Sequence, residues 1–464
     1  MKGLGRLIVK DSKFYKLVLS LAMPIALQSM ISISVNMLDT IMVGKLGDDS
    51  LSATSLSNQF ISIYHIFCMG IGMGASVLVS RYWGMRKDNP ENSQNALKKA
   101  ICIMLRLTIA LAAVFAIVTF LMPETIMKMY TNEQPIIDLG ITYLKYSVIT
   151  YFFLGLSLVC TIVLRSVGQV NIPLFVSIGA FFVNLGANYA FIFGKFGAPR
   201  MEIAGAAIGT LIARFYEASV ICVYLFFVDK KIGFRIKHLF IKTGDLISEY
   251  VRISIPVLIS DGILAIGNNM VAVVIGHIGG CFVAANAITS VTQQLSTVVI
   301  QGVCQAGAIV TGQTLGRGEK EKTMEQGYGF LGLGLGLGCV SALFIMIASG
   351  PIIGNYDVTP ETVKVAQQLM AAISLIIVFQ ATNSIMTKGV LRGGGDTKML
   401  MLADNIFLWV LSIPLGIVAA FVFKLPPFWI YFCLKFDQVA KTVWCVFRLR
   451  SGKWIKKISV GNIK

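Results

Sequence analysis

The sequence has little charge for its length. Of its 464 residues, 14% are charged and 56% are hydrophobic, whereas about a quarter of the residues in a soluble domain are charged. The apolar residues stand in runs of about twenty, enough to cross a hydrocarbon core of ~30 Å. In lipid such runs must be helical, because no water satisfies the backbone polar groups. The composition therefore predicts an all-α membrane protein.

Several chemical motifs are missing. The nine cysteines form no C-x-x-C pair, and His65, His238 and His277 have no partner at metal-ligand spacing. There is no Walker motif, and the glycine-rich run 327–338 opens an apolar span, where it indicates close helix packing rather than a phosphate loop. No catalytic constellation is evident within the spans. We expect no enzyme, no cofactor and no direct use of ATP.

The apolar runs predict about twelve transmembrane helices. They lie at 17–43, 52–80, 100–122, 136–162, 171–194, 203–228, 250–276, 283–313, 327–349, 363–387, 399–423 and 428–447. Residues 1–14 alternate basic and apolar side chains, which predicts a short amphipathic segment on an anionic leaflet.

The basic residues, which give a net charge of +17, are distributed by topology. They fill the N-terminus, the C-terminal tail and the loops at 81–99, 229–252, 317–322 and 388–398. The alternate loops hold few. This distribution follows the positive-inside rule and predicts a multi-pass cell-membrane protein with both termini in the cytoplasm. It favours lipid headgroups over nucleic acid as the partner of the basic residues.

The chain repeats itself at an offset of 232 residues. Pairs in this register are Pro24 with Pro256, Asn36 with Asn268, Gly44 with Gly276, Gly47 with Gly279 and Gly84 with Gly316. Farther on, Val-Leu-Arg165-x-x-Gly168 matches Val-Leu-Arg392-x-x-Gly395. The repeat predicts two parallel six-helix lobes, at 1–228 and 251–448, with a cytoplasmic linker at 229–250 and a basic tail at 449–464. Parallel repeats around a cavity are a transporter architecture.

Three groups of residues carry a family resemblance. They are the segment from Pro24 through Asn36-Met-Leu-Asp39 to Gly47, the two Val-Leu-Arg loops, and Asn184-x-x-x-Asn188 with Ala204 to Thr210. Together they resemble the multidrug and toxic compound extrusion (MATE) family. The resemblance covers roughly residues 10–448 and extends to the branch related to DNA-damage-inducible protein F. It implies a monomeric antiporter that exports organic, often cationic, compounds in exchange for protons or sodium ions.

Asp39 is the strongest candidate for ion coupling. A charged group inside a span costs at least a few kcal/mol, so its presence there needs a reason. It follows Pro24, which weakens the helix and predicts a hinge. A carboxyl group in such a place can take up and release a proton as access alternates. The alternative is a carboxylate buried only to pair with its surroundings.

Asn184 and Asn188 share one helix face and can meet Asp39. Thr210 and the carbonyl group of Ala206 can supply further oxygens, and oxygen ligands suit a sodium ion as well as a protonated carboxyl group. By resemblance, Tyr143 joins this group. The predicted ion-coupling set, and the sodium site if sodium is used, therefore centres on Asp39. Hydrogen bonding between helices is the alternative role for the asparagines.

Further polar residues in the spans are weaker candidates. Those that could bind substrate or take part in coupling are Asp261, Asn36, Met37, Gln380 and Asn383. Arg214 is one turn from Glu217 and can neutralise it. Asp404, and Asp437 with Lys435 and Lys441, are expected to be interfacial or paired charges.

Other function classes stay open. A flippase of the same superfamily that moves a lipid-linked oligosaccharide should carry several cavity arginines, and only Arg106 and Arg214 are candidates. An intramembrane enzyme would need a catalytic constellation. A channel is a further alternative, although a two-lobed repeat favours alternating access.

Overall fold

The computed structural model describes residue 9 and residues 11–354, 356 and 358–456. Most of the amphipathic segment predicted at residues 1–14, and the end of the basic tail, lie outside the described residues. The described part is all-α, without strands. Its helices are α1 (Ser12–Gly44), α2 (Asp48–Met85), α3 (Pro90–Leu121), α4 (Pro123–Lys128), α5 (Gln134–Ser147), α6 (Thr150–Ser166), α7 (Asn171–Phe193), α8 (Glu202–Val223), α9 (Gly244–Ile278), α10 (Gly280–Gly316), α11 (Lys320–Gly354), α12 (Pro360–Ser384), α13 (Thr397–Ile406), α14 (Ile413–Ile417), α15 (Pro427–Leu434) and α16 (Asp437–Ser451).

Ten helices among the described residues are long and apolar enough to cross a membrane. The bent pair α5 and α6, which meet at an angle of 57°, adds an eleventh if the pair counts as one span. Several spans continue past an α-helix as π-helical turns, for example Ile385–Leu391 after α12. The chain is thus a multi-pass membrane protein.

Two predicted spans are not single helices. The predicted span 136–162 is the bent pair α5 and α6. The predicted span 428–447 consists of the short helices α15 and α16, which are separated at Lys435 and Phe436. Hydropathy cannot detect such breaks, because an apolar run looks the same whether its helix is straight or bent.

The described residues form two compact units. We call Leu27–Leu258 the N-unit; the C-unit contains the described residues up to Ala26 and from Ile259 onward. The chain passes from one unit to the other inside α1 and inside α9, two residues after Pro24 and two residues after Pro256. The lobe boundaries predicted from the repeat follow chain order and remain a prediction.

Glycines let helices approach closely within each unit. In the C-unit, a β-carbon on Gly334 would lie 2.8 Å from the Thr382 backbone, and one on Gly338 would lie 2.7 Å from that of Val378. The close packing predicted for the glycine run 327–338 is confirmed, because α11 rests directly against α12 at these positions.

The segment that joins α8 to α9, and the start of α9, are held by side chains of other parts of the N-unit. Asp229 accepts a hydrogen bond from Gln169 (2.7 Å), and Arg106 donates to the carbonyl oxygens of Leu239 and Ile241. Lys99 forms an ion pair with Asp245 at 2.7 Å. Arg106 is therefore occupied by the backbone of this segment.

Candidate functional site in the N-unit

A cavity of about 950 Å³ lies inside the N-unit between α1, α2, α5, α6, α7 and α8. Among the residues that line it are Asn36, Asp39, Tyr143, Asn184, Ala206 and Thr210, all of them predicted from the sequence. A cavity of this volume is large enough for a drug-sized molecule.

Asp39 is held by the asparagines of α7. The amide nitrogen of Asn188 donates to Asp39 Oδ1 at 2.6 Å and also faces Asn184 Oδ1 at 3.3 Å. Because the asparagines are one turn apart, both project from one face of α7 toward α1. The structure therefore brings Asp39, Asn184 and Asn188 into one hydrogen-bonded group.

A glycine of α8 makes room for Asn188. A β-carbon on Gly209 would lie 2.0 Å from Asn188 Oδ1 and 3.0 Å from the Asn188 backbone nitrogen. Since real β-carbons do not approach other atoms that closely, any larger residue at position 209 would displace the asparagine. The close contact of α7 with α8 thus helps to set the position of the amide that donates to Asp39.

Asn188 retains an unused acceptor. Its side chain is 1% exposed, and Asn188 Oδ1 is buried without a hydrogen-bond partner among the described residues. A buried acceptor of this kind requires an explanation. As the side chain stands, this oxygen lies against Gly209 of α8, while the amide nitrogen faces Asp39. With the amide turned over, the oxygen would face Asp39 and accept from its protonated carboxyl group.

Tyr143 reaches the cavity wall from α5. Its side chain is buried, and its hydroxyl donates to Asn58 Oδ1 of α2 at 3.3 Å. Ala206 and Thr210 line the same cavity from one face of α8. These residues surround the Asp39 group with oxygen atoms and small side chains.

The other charges that line the cavity have partners. Arg214 forms an ion pair with Glu217 at 2.7 Å, which confirms the predicted pairing. Arg165 donates to Gln28 Oε1. Asp39, by contrast, forms no ion pair within the described part of the chain and has only amide groups as hydrogen-bond partners. Its carboxylate is consequently available to a proton, a metal cation or an organic cation.

The weaker candidates lie elsewhere, except for Asn36. Met37 is 64% exposed and is not among the residues that line the cavity. Three more are in the C-unit: Asp261 is paired with Arg392 at 3.1 Å, Gln380 accepts from Gln293, and Asn383 donates to Gln438. The predicted hinge, Pro24, lies inside α1, which is helical without interruption from Ser12 to Gly44.

Three charged residues form a buried cluster in the C-unit, which we call the C-cluster. Lys441 lies 3.2 Å from Asp404 and 3.1 Å from Asp437, and all three side chains are at most 7% exposed. Ser260 donates to Asp404, and Gln438 donates to Asp437. The predicted pairing of these charges is confirmed for Lys441, but the pairs are buried rather than interfacial.

Some residues of the site were not found from the sequence. Gly209 and Asn58 act only through contacts with distant parts of the chain, and a single sequence does not show such contacts. For Gly209 there was a local signal: it stands one turn after Gly205, so two small residues mark the face of α8 that touches α7.

Known proteins of similar sequence identify the family. The MatE family model matches two successive stretches, residues 24–190 and 242–418. The chain belongs to the MATE family. The two stretches fall in the two halves of the internal repeat. Because members of this family are transporters, this MATE chain is not an enzyme and needs no cofactor. Its place in the branch related to DNA-damage-inducible protein F remains a prediction.

Relatives match over almost the whole chain. The probable multidrug resistance protein NorM of Thermotoga maritima is 25% identical over 95% of this chain and 93% of its own length. The multidrug resistance protein NorM of Burkholderia vietnamiensis is 26% identical over 86% of each chain. A solved structure of a multidrug resistance MATE family transporter in an outward-facing conformation superposes with a TM-score of 0.83. It is 18% identical and covers 98% of this chain and 99% of its own, so this likeness concerns the fold.

The site offers oxygen donors rather than a transition-metal set. No group of three or more histidine, cysteine or acidic side chains that could hold a metal ion occurs in the described residues. One carboxylate with amide and hydroxyl oxygens suits a monovalent hard cation or a proton.

Proposed function

We propose that this MATE family member is a secondary active multidrug efflux transporter, and that it exchanges organic, often cationic, compounds for protons or sodium ions by alternating access. Support comes from its family, from relatives named multidrug resistance proteins and from the cavity in the N-unit. Asp39 is the coupling carboxylate, and Asn184, Asn188, Thr210, Ala206 and Tyr143 form its surroundings.

The observation that carries this proposal is the kind of partner that Asp39 has. Its carboxylate accepts from the Asn188 amide at 2.6 Å, whereas Glu217, Asp261, Asp404 and Asp437 all form ion pairs with lysine or arginine. A carboxylate that forms no ion pair among the described residues, at the wall of a large cavity, can bind an ion and an organic cation in turn. Because the ion and the organic cation exclude each other at Asp39, the movement of one is coupled to the movement of the other in the opposite direction.

The energetics are sufficient for export. One proton that moves down one pH unit releases ~1.4 kcal/mol, and one charge that moves through 100 mV releases ~2.3 kcal/mol. Concentrating a neutral compound tenfold costs ~1.4 kcal/mol. One or two ions per cycle therefore drive useful gradients.

The direct test is Asp39→Asn in vesicles. Wild-type protein, reconstituted with an imposed proton gradient or sodium gradient, should transport ethidium, a fluorescent organic cation, and the identity of the active gradient names the coupling ion. Asp39→Asn should reduce transport at least about a hundredfold, or ~2.7 kcal/mol. The matched control is Asp49→Asn at an exposed position, which should transport like wild type. Equal transport by both variants would remove Asp39 from the coupling step.

We also propose that the protein works as a monomer. Both termini and the 229–250 segment are proposed to lie in the cytoplasm, because the basic residues follow the positive-inside rule. Phe240 is 81% exposed and suits a single labelling cysteine in a variant without the native cysteines. An impermeant thiol reagent should reach it only from the cytoplasmic side. Labelling from outside alone would reverse the topology. The flippase alternative gains no support, since Arg106, Arg165 and Arg214 all have protein partners.

A further inference from the structure

The arginines of the two repeated Val-Leu-Arg motifs make related contacts. In the N-unit, Arg165 at the end of α6 donates to Gln28 Oε1 of α1. In the C-unit, Arg392, which follows the π-helical turn after α12, lies 3.1 Å from Asp261 Oδ1 of α9. Gln28 is four residues after Pro24, and Asp261 is five residues after Pro256. We call these contacts the N-latch and the C-latch.

Each latch lies where a long helix joins a new unit. The N-unit begins at Leu27, inside α1, and the C-unit resumes at Ile259, inside α9. Gln28 and Asp261 are thus in the first turn of the helix segment that belongs to the same unit as the arginine. A buried guanidinium at this point fixes the first turn of the segment against the rest of its unit. Gln28 is 6% exposed and Arg392 is also 6% exposed.

The two latches differ in the charge of the acceptor. Gln28 offers a neutral amide oxygen, which is further oriented because Gln28 Nε2 donates to Ser177 at 2.8 Å. Asp261 offers a carboxylate. The 232-residue register pairs Gln28 with Ser260 rather than with Asp261, but both acceptors stand about one turn after the proline and hold the arginine of the same motif. The N-latch therefore shows that a neutral oxygen can hold this arginine. The charge of Asp261 also has its counter-ion already, since Arg392 is buried beside it.

We propose that Asp261 acts as a positioning residue: with Arg392 it forms a latch that fixes the segment of α9 after Pro256, and it binds neither the coupling ion nor the exported compound. This inference rests on the proposed transport function and replaces the weaker sequence prediction that Asp261 takes part in coupling or in substrate binding. An amide can replace this carboxyl group as the acceptor, at a cost in stability because the buried Arg392 then loses its counter-ion.

The experiment compares Asp261→Asn, which keeps an oxygen acceptor, with Asp261→Leu, which removes it. In vesicles that transport ethidium, Asp261→Asn should keep at least about half of the wild-type rate and the same number of ions per ethidium. Asp261→Leu should lose at least about tenfold, because it leaves the Arg392 guanidinium buried without its acceptor. The exchange of both charges, Asp261→Arg with Arg392→Asp, should recover part of that loss.

If Asp261→Asn transports as poorly as Asp39→Asn, or changes the number of ions per ethidium, Asp261 is a coupling residue and the latch is wrong. Thermal unfolding in detergent and ethidium binding separate this outcome from misfolding: Asp261→Asn keeps a neutral acceptor for the buried Arg392 and should unfold between wild type and Asp261→Leu, which keeps none. Failure of the proposed function would appear differently, as transport by Asp39→Asn at the wild-type rate.

Discussion

Asp39 of the N-unit and the two aspartates of the C-cluster are held in opposite ways. Asp39 borders a cavity and accepts from an asparagine amide at 2.6 Å. Asp404 and Asp437 share Lys441 at 3.2 Å and 3.1 Å, and no side chain of this C-cluster is more than 7% exposed. A neutral donor leaves the charge of Asp39 to be balanced by a mobile ion, whereas a buried lysine balances its aspartates permanently. Under the proposed function, an aspartate side chain serves transport in the N-unit and helix packing in the C-unit.

The largest effect should come from removing the cation of the C-cluster. Lys441→Met leaves Asp404 and Asp437 buried without their ammonium partner and should destabilise the protein by about 3–5 kcal/mol. The measurement is unfolding in detergent, or the yield of folded protein. Lys398→Met, at an exposed position of α13, is the control and should change the stability by less than about 0.5 kcal/mol.

A triple variant sharpens this prediction. Neutralising both acids in the Lys441→Met background, with Asp404→Asn and Asp437→Asn, should recover part of the stability, because no uncompensated charge then stays buried. A Lys441→Met protein that is as stable as wild type would show that the C-cluster does not hold its helices together.

A smaller effect is expected from a substitution that crowds Asn188 of the N-unit. Gly209→Ala places a β-carbon 2.0 Å from the present position of Asn188 Oδ1, so the Asn188 amide must shift and its hydrogen bond to Asp39 is disturbed. We expect transport to fall about tenfold and the stability to fall by ~1–3 kcal/mol. Gly186→Ala on α7 is the matched control, because a β-carbon there meets nothing within 4 Å. Similar transport by both variants would contradict the role given to Gly209.

An effect of similar size should follow the loss of the Asn188 amide. Asn188→Ala removes the donor to Asp39 but leaves the carboxylate at the cavity, so ion-driven release of ethidium should weaken more than ethidium binding does. One hydrogen bond to a charged group corresponds to about 1.5–3 kcal/mol. Rates in vesicles and binding in detergent would separate the two quantities. Equal losses of both would make the asparagines structural.

Much of this comparison could be predicted from the sequence. Ionisable residues are costly in apolar spans, so Asp39 stood out, and the one-turn spacing of Asn184 and Asn188 placed both on one face of α7. The repeat register linked Arg165 with Arg392 before any contact was known. The partners could not be predicted, because Gly209, Asn58 and the distances of Lys441 to its two acids depend on packing between segments far apart in the chain. The breaks between α5 and α6, and between α15 and α16, are likewise invisible to hydropathy.

The most direct test of the central claim is ion release on binding. Purified protein in weakly buffered detergent, titrated with ethidium, should release about one proton per bound ethidium, or displace about one sodium ion if sodium is the coupling ion, since the two ligands exclude each other at Asp39. Asp39→Asn should release neither, whereas Asp261→Asn should release as many ions as wild type. Undiminished ion release by a folded Asp39→Asn protein would contradict the account.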